Sequence, residues 1–455
     1  MADLLGTFLI LLAPALMLLM LLQQIRGTHP LMSLRNYAIV GAIIYIVISP
    51  GRALITEYFG NYPVTNPVAA GLEYTVLLLI FMAAFNLFYN KGWGSQVVLR
   101  HVPVPTYQPS VSVMMVLAVI LTIMGFGLRM TLKLPVIGTI TDKWGMVCSA
   151  MACGIVGWIW GPRLLNPAIA CFSAFILAAN AVNAITDYFS RRPLIAVAAA
   201  LLWGMYYASW RFMPTRRVVA QMAAIAVVPV LFVALYTAAR KAQEFDRTAA
   251  QQIAEMRTAN VSEGLLALFE GQAVGPVSMW LIESYPERLE YRHLLALRCL
   301  VAMPIPRLFW EGKPEPLSTM IAKDASLQQV NRSLVKISPG IIGQSAAEGG
   351  LYALIIYAFI GAMLLRLGDE IVWRHPEKPL AVLAIGSTMG DVMGLPRGES
   401  VLMTFNMLLG LALAYLTAMA IGRFVGRAPL VRAVPLGGRP MEPAPDAALV
   451  DQPAG

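Results

Sequence analysis

Six basic residues stand where an apolar chain has little reason to place them. Arg191 and Arg192 lie in DYFSRRPLI, Arg240 in LYTAARKAQEF, Arg307 and Lys313 in PIPRLFWEGKP, and Arg397 in GLPRGES. A guanidinium presents a planar fork of donors that grips phosphate oxygens, often two at once, and an ammonium adds a point charge. Several such groups at one depth would make a site for a diphosphate headgroup. Taken singly, each could instead be a snorkelling side chain or half of a structural ion pair.

Asn180, Asn183, Asp187 and Arg191 follow one another at intervals of three, four and four. That spacing puts them on one face of a helix, if the helix continues through Arg191. Asp187 could then orient Arg191, and Asp391 could pair with Arg397 in the same way. The two asparagines equally suit hydrogen bonds between membrane helices. Three residues are candidate proton acceptors: His293 in YRHLLALR, Glu348 and Glu399. Imidazole is the side-chain type that changes charge near neutrality, although YRHLLALR also has the pattern of an ordinary amphipathic helix. Trp280, Tyr285 and Trp310 could stack on sugar rings or simply pack. Cys148, Cys153, Cys171 and Cys299 show no metal spacing, and the four histidines are scattered. The sequence therefore predicts free thiols and chemistry with neither metal nor cofactor.

The elements that must position these groups are apolar. Of 455 residues, 58% are hydrophobic and 13% charged, with mean hydropathy +0.67. Soluble domains carry roughly 25% charged residues, and a disordered chain lacks the apolar content seen here. Apolar runs long enough to cross a bilayer are read at 4–22, 36–50, 68–90, 110–128, 145–160, 166–188, 194–210, 218–238, 350–367, 379–395 and 401–421. The predicted fold is an all-α polytopic transmembrane bundle of about eleven spans. Spans one to eight occupy 1–239, a large extracytoplasmic segment 240–349, spans nine to eleven 350–422, and a disordered tail 423–455. The first run follows Asp3 instead of a basic region and does not read as a signal peptide.

A net charge of +9 would ordinarily suggest nucleic acid. Sorted by topology, it does not. The segments on one side hold about 15 Lys/Arg against 6 Asp/Glu, the whole of the excess, and the remaining segments balance. The positive-inside rule makes that side cytoplasmic, with the N-terminus outside and the C-terminus inside, and contact with anionic lipid explains the excess. The candidate arginines fall on the other side, where basic residues are not favoured.

The segments PIPRLFWEGKP (residues 304–314), SPGIIGQSAAEGG (residues 338–350) and FSRRP (residues 189–193) give the chain a family likeness. It resembles the Wzy-type oligosaccharide repeat-unit polymerases, which are related to the O-antigen ligases. That family shows an iPR-x-x-w-x-x-KP segment, a P-x-x-iGe…G segment entering the next span, and Ser-Arg turns at the outer ends of inner spans. The motifs cover about 50 residues of this chain. Gln344 stands where the family often has Glu, so no base role carries to that position, and Glu348 is the nearest carboxylate.

The resemblance implies a GT-C-like glycosyltransferase of the bacterial inner membrane. It would join undecaprenyl-diphosphate-linked oligosaccharides at the periplasmic face, alongside a flippase and a chain-length regulator. Arg191, Arg192, Arg240 and Arg397 would bind diphosphate, and Arg307 and Lys313 would bind diphosphate or position sugar. An O-antigen ligase acting on lipid A core is the neighbouring reading. A lipid-linked glycan transporter is a more distant one, disfavoured by the lack of an inverted repeat.

Overall fold

The structure is a computed structural model that describes residues 1–92, 95–100, 102, 104–105, 107–131, 137–185, 192–239, 254–270, 273–305, 309–325, 337–398 and 400–425. Within these, the regular elements are helical. Among the described residues, ten helices are long and apolar enough to cross a membrane. We label the elements α1 (Ala2–Ile25), α2 (Leu34–Thr56), α3 (Pro67–Lys91), α4 (Val111–Thr131), α5 (Ile137–Trp160), α6 (Pro167–Ile185), α7 (Arg192–Ala208) and α8 (Thr215–Ala239). Then come α9 (Val261–Glu270), α10 (Val274–Ser284), α11 (Leu295–Ala302), α12 (Leu317–Asp324), α13 (Gly340–Glu348), α14 (Leu351–Arg374), α15 (Pro379–Gly386), α16 (Met389–Gly394) and α17 (Ser400–Phe424).

Local chemistry sets several of these boundaries. Ser33 caps α2 by accepting from the Asn36 amide, and Asn66 caps α3 by accepting from the Ala69 amide. Pro67 occupies the first turn of α3, and Gly92 ends it in the left-handed conformation. The middle of α2, Ile43–Ile48, is π-helical. The Tyr74 hydroxyl donates to the Ile46 carbonyl at 2.8 Å, tying this widened turn to α3.

Two spans depart from simple helices. α7 has 17 residues, about 25 Å of helix, which is short for a 30 Å hydrocarbon layer. Most of its side chains are buried in the bundle, so protein and not lipid sets its length. The span 379–397 is broken at Ser387–Thr388, between α15 and α16, and ends in a 3₁₀ turn at Leu395–Arg397. The Ser387 and Thr388 hydroxyls donate to carbonyls three residues back. A broken helix is tolerated at membrane depth where protein surrounds it, as it does here.

Interhelix bonds sort the connections to two ends of the bundle. At one end the Asp369 carboxylate of α14 accepts from the Leu34 and Arg35 amides and from Tyr89. Ser95 reaches Glu370 there, and Tyr207 at the close of α7 donates to the Met32 carbonyl. At the other end Glu283 accepts from the Thr65 and Asn66 amides, and the Gly275 amide donates to Ser49. The alternation fits eleven crossings when the short α7 is counted with the ten longer helices.

The described parts of 240–349 do not stand apart as a separate body. Every residue of α13 and nearly all of α10 are buried. Val277, Leu281, Ile342 and Ala347 share one core with Leu9, Ile46 and Leu78 of the first three spans. These helices of 9 and 11 residues bury their apolar surface by lodging between longer ones.

Candidate functional site

The site is built around a contact between two sequence-distant turns. Leu395-Pro396-Arg397-Gly398 closes the broken span, and Gly340 opens α13. Both glycines have positive φ, +81° at Gly398 and +68° at Gly340. A Cβ at Gly398 would lie 2.4 Å from the Gly340 nitrogen, so the two backbones touch. This joins GLPRGES to SPGIIGQSAAEGG.

Arg397 is half-buried at this junction. Its guanidinium carbon lies 5.9 Å from the ring centre of Tyr45, in the π-helical turn of α2. Its Nε is buried and has no hydrogen-bond partner among the described residues. A buried donor without a partner is costly, which marks the position as one where an acceptor would be welcomed.

Beneath the junction runs an apolar cleft of about 320 Å³. Leu395, Pro396 and Ile341 line it on the junction side, with Ala296, Leu297 and Leu300 of α11. Its walls come from α1, α2, α3 and α14, and Arg35 and Asn86 close its far part. From Tyr357 to Leu365 it follows two turns of α14, about 12 Å.

Beside Tyr357 a second cluster gathers on Glu348. Its carboxylate accepts from the Ala296 amide at 2.9 Å, from Gln344 Nε2 at 2.8 Å and from the Tyr357 hydroxyl. Glu348 has no exposed surface. Burial pushes its carboxyl above the ordinary range, against the opposing pull of Tyr357, Ala296 and Gln344. The bonds make it the anchor that ties α11 to α13 and α14. The Arg292 amide donates to the Ala347 carbonyl and the Leu294 amide to the Glu348 carbonyl, stitching 292–296 onto the end of α13. Leu294 takes φ +49° within that stitch, unusual for a branched side chain.

His293 projects from the stitched segment and is exposed. Its Nδ1 is hydrogen-bonded to the Tyr352 hydroxyl, and the two rings stack with centres 6.0 Å apart. Tyr352 in turn donates to the Glu348 carbonyl at 3.0 Å. Gly349, at φ +142°, lies so close that a Cβ there would meet the Tyr352 ring at 2.1–2.2 Å.

The other expected residues are dispersed. Lys313 donates to the Met303 and Ile305 carbonyls at 3.1 and 2.8 Å, clasping the loop that carries Trp310. Asp391 does not pair with Arg397. It forms a buried ion pair with Lys143 of α5, because it sits on α16, a turn and a half before Arg397, facing α5. Arg192 begins α7, and its carbonyl packs against Gly390. Asp187, Arg191, Arg240, Arg307 and Glu399 lie outside the described residues. Asn180 and Asn183 make interhelical bonds, to Thr122 at 2.9 Å and Ser149 at 2.8 Å. Trp280 and Tyr285 are buried, the first beside Tyr62 and the second accepting from Arg292, whereas Trp310 is exposed.

Sequence reasoning passed over four participants. Arg129 and Lys143 stood just outside the runs read at 110–128 and 145–160, and the helices α4 and α5 extend over them; Arg129 pairs with Asp142 at 2.9 Å and donates to the Asn183 carbonyl. A lone charge within a span is itself a signal, since it must find a partner there. Tyr352 and Tyr357 gave no signal, because a tyrosine at the head of a span also reads as an interface anchor.

No family model matches the chain, and no curated protein or solved structure matches it either.

Proposed function

We propose that the chain is a membrane glycosyltransferase that polymerises oligosaccharide repeat units carried on undecaprenyl diphosphate. In this reading the end bearing Asp369, Arg366 and Arg374 is cytoplasmic, following the positive-inside rule. The end bearing Arg397 and His293 is periplasmic, at the inner membrane of a bacterium. The growing glycan leaves its lipid carrier when the bond between its anomeric carbon and the phosphate oxygen breaks. A new bond forms from that carbon to a hydroxyl of the next lipid-linked repeat. The hydroxyl proton passes to a base, and undecaprenyl diphosphate departs.

The observation that carries this reading is Arg397, with an unpartnered buried Nε, directly following two residues that line an apolar cleft. A cation next to residues that line an apolar cleft matches a ligand with an anionic head and a hydrocarbon tail. A positioned guanidinium would stabilise the charge that develops on the leaving diphosphate. Support also comes from the motif likeness of PIPRLFWEGKP, SPGIIGQSAAEGG and FSRRP, the second of which meets the Arg397 turn at the junction. Of the candidate proton acceptors, exposed His293 suits an incoming hydroxyl better than enclosed Glu348. A GT-C-like arrangement belongs to the same proposal.

The test is reconstitution of the purified full chain in vesicles with a defined undecaprenyl-diphosphate-linked repeat, followed by product sizing. Ladders of two and more repeats are expected, and Arg397→Ala and Arg307→Ala should abolish them while leaving the protein folded. Transfer only to a lipid A core acceptor would make the chain a ligase. Movement of the lipid-linked repeat between leaflets without bond formation would make it a transporter.

A further inference from the structure

We propose that Tyr352 is a positioning residue that fixes His293 in its Nδ1–H tautomer and leaves Nε2 as the proton acceptor at the outer face. The role given to Nε2 rests on the glycosyltransferase reading; the tautomer does not.

The argument is one of donors and acceptors. A phenol has one proton to donate. Tyr352 gives it to the Glu348 carbonyl at 3.0 Å, and a carbonyl can only accept. With the phenol proton directed to that carbonyl, the proposed bond between Tyr352 and His293 Nδ1 runs the other way, with Nδ1–H donating to the phenol oxygen. In a neutral imidazole with Nδ1 protonated, Nε2 carries the lone pair, and the bond made by one ring nitrogen sets the state of the other. Among the described residues no hydrogen bond engages Nε2, and His293 is exposed.

The surroundings hold this arrangement in place. Tyr352 stacks on the imidazole, and Tyr291 flanks it with ring centres 5.9 Å apart. The Glu348 carbonyl that orients Tyr352 also accepts from the Leu294 amide, next to His293. The Glu348 carboxylate fixes α11, which begins two residues after His293. Gly349 is required because a side chain there would displace the Tyr352 ring. Leu294 holds a backbone conformation that a branched residue adopts only when its surroundings impose it. Phenol, imidazole and two backbone strands are thus locked together at the exposed edge of the cluster, beside Tyr357 and Ala296, which line the apolar cleft.

The test has a spectroscopic arm and a kinetic arm. The full chain is labelled with 15N-histidine in vesicles, and the ring signals of its four histidines are recorded at a pH where they are neutral. The His293 signal is identified by its loss in His293→Asn. A protonated Nδ1 and unprotonated Nε2 are expected in the wild type, and Tyr352→Phe, which keeps the ring and removes the hydroxyl, should shift the population toward Nε2–H. A wild-type His293 protonated at Nε2, or a Tyr352→Phe spectrum identical to wild type, overturns the proposal.

In the kinetic arm His293→Asn should lose about 100-fold or more in polymerisation rate. Tyr352→Phe should lose roughly two- to tenfold, the value of one hydrogen bond, with KM for the lipid-linked donor unchanged. Normal polymerisation by His293→Asn overturns the role given to Nε2. A wild-type chain with the expected tautomer but no transferase activity overturns the glycosyltransferase reading instead, with the Tyr352–His293 assignment left standing.

Discussion

Gly398 rests on Gly340 with no room for a side chain between them: a Cβ at Gly398 would meet the Gly340 nitrogen at 2.4 Å and its Cα at 2.7 Å. The contact joins the end of one span to the helix that precedes another, and it holds Arg397 beside the apolar cleft. Gly398→Ala combines this clash with a φ of +81°. It should cost about 1–3 kcal/mol or more, read as a lowered thermal midpoint in detergent. Arg397 function should fall with it. A midpoint unchanged from wild type would mean that the junction yields easily.

The Lys143–Asp391 pair joins α5 to α16 in the interior. Removing one partner strands the other charge, so Lys143→Met and Asp391→Leu should each lose about 3–5 kcal/mol. The double variant should recover most of that loss, since an apolar pair can replace a buried ion pair. Thermal unfolding of the four proteins in a double-mutant cycle measures the coupling. Recovered stability without recovered activity would give the pair a role beyond holding the helices together.

His29 lies between α1 and α2, where burial and the nearby charges of Arg35 and Arg366 lower its pKa from 6.5 to about 4. The fold therefore favours neutral His29. Its contribution is present in full above 6.5 and is lost as pH falls from 6.5 toward about 4. Thermal midpoints should decline over that window, and His29→Gln should flatten the decline. Equal slopes in the two proteins would assign the acid sensitivity to other groups.

Gly361 lines the cleft, and a Cβ there meets only Phe85, at 3.9 Å. Gly361→Leu should therefore fold normally while filling part of the 320 Å³ space. If the cleft receives the hydrocarbon of a lipid-linked donor, KM for that donor should rise severalfold, with little change in thermal midpoint. Steady-state kinetics with undecaprenyl carriers checks this, and an unchanged KM would place the lipid elsewhere.

Much of the architecture was legible in the chain. Runs of apolar residues of bilayer length match the ten helices that, among the described residues, are long and apolar enough to cross a membrane. The short helix α7 was readable by its apolar content, though its burial was not. Asn180 and Asn183 were assigned to one helix face by spacing, and their partners Thr122 and Ser149 confirm the hydrogen-bonding reading. Asp391 shows where spacing runs out. Proximity along the chain suggested Arg397, and the helix face on which the carboxylate sits selected Lys143.

The sequence by itself determined that this is a polytopic helical membrane protein, because hydropathy is a sum over local stretches and needs no partner to be evaluated. It also marked Arg397, His293 and Glu348 as residues worth watching. Only the tertiary structure decided which of them meet. Gly398 finds Gly340 across 58 residues, Glu348 finds Ala296 across 52, and His293 finds Tyr352 across 59. Those pairings depend on how helices of fixed shape pack into one enclosed volume. The same packing turned Glu348 inward as an anchor, left His293 at the surface, and raised Tyr352 from an apparent interface residue to the partner that sets the histidine's proton.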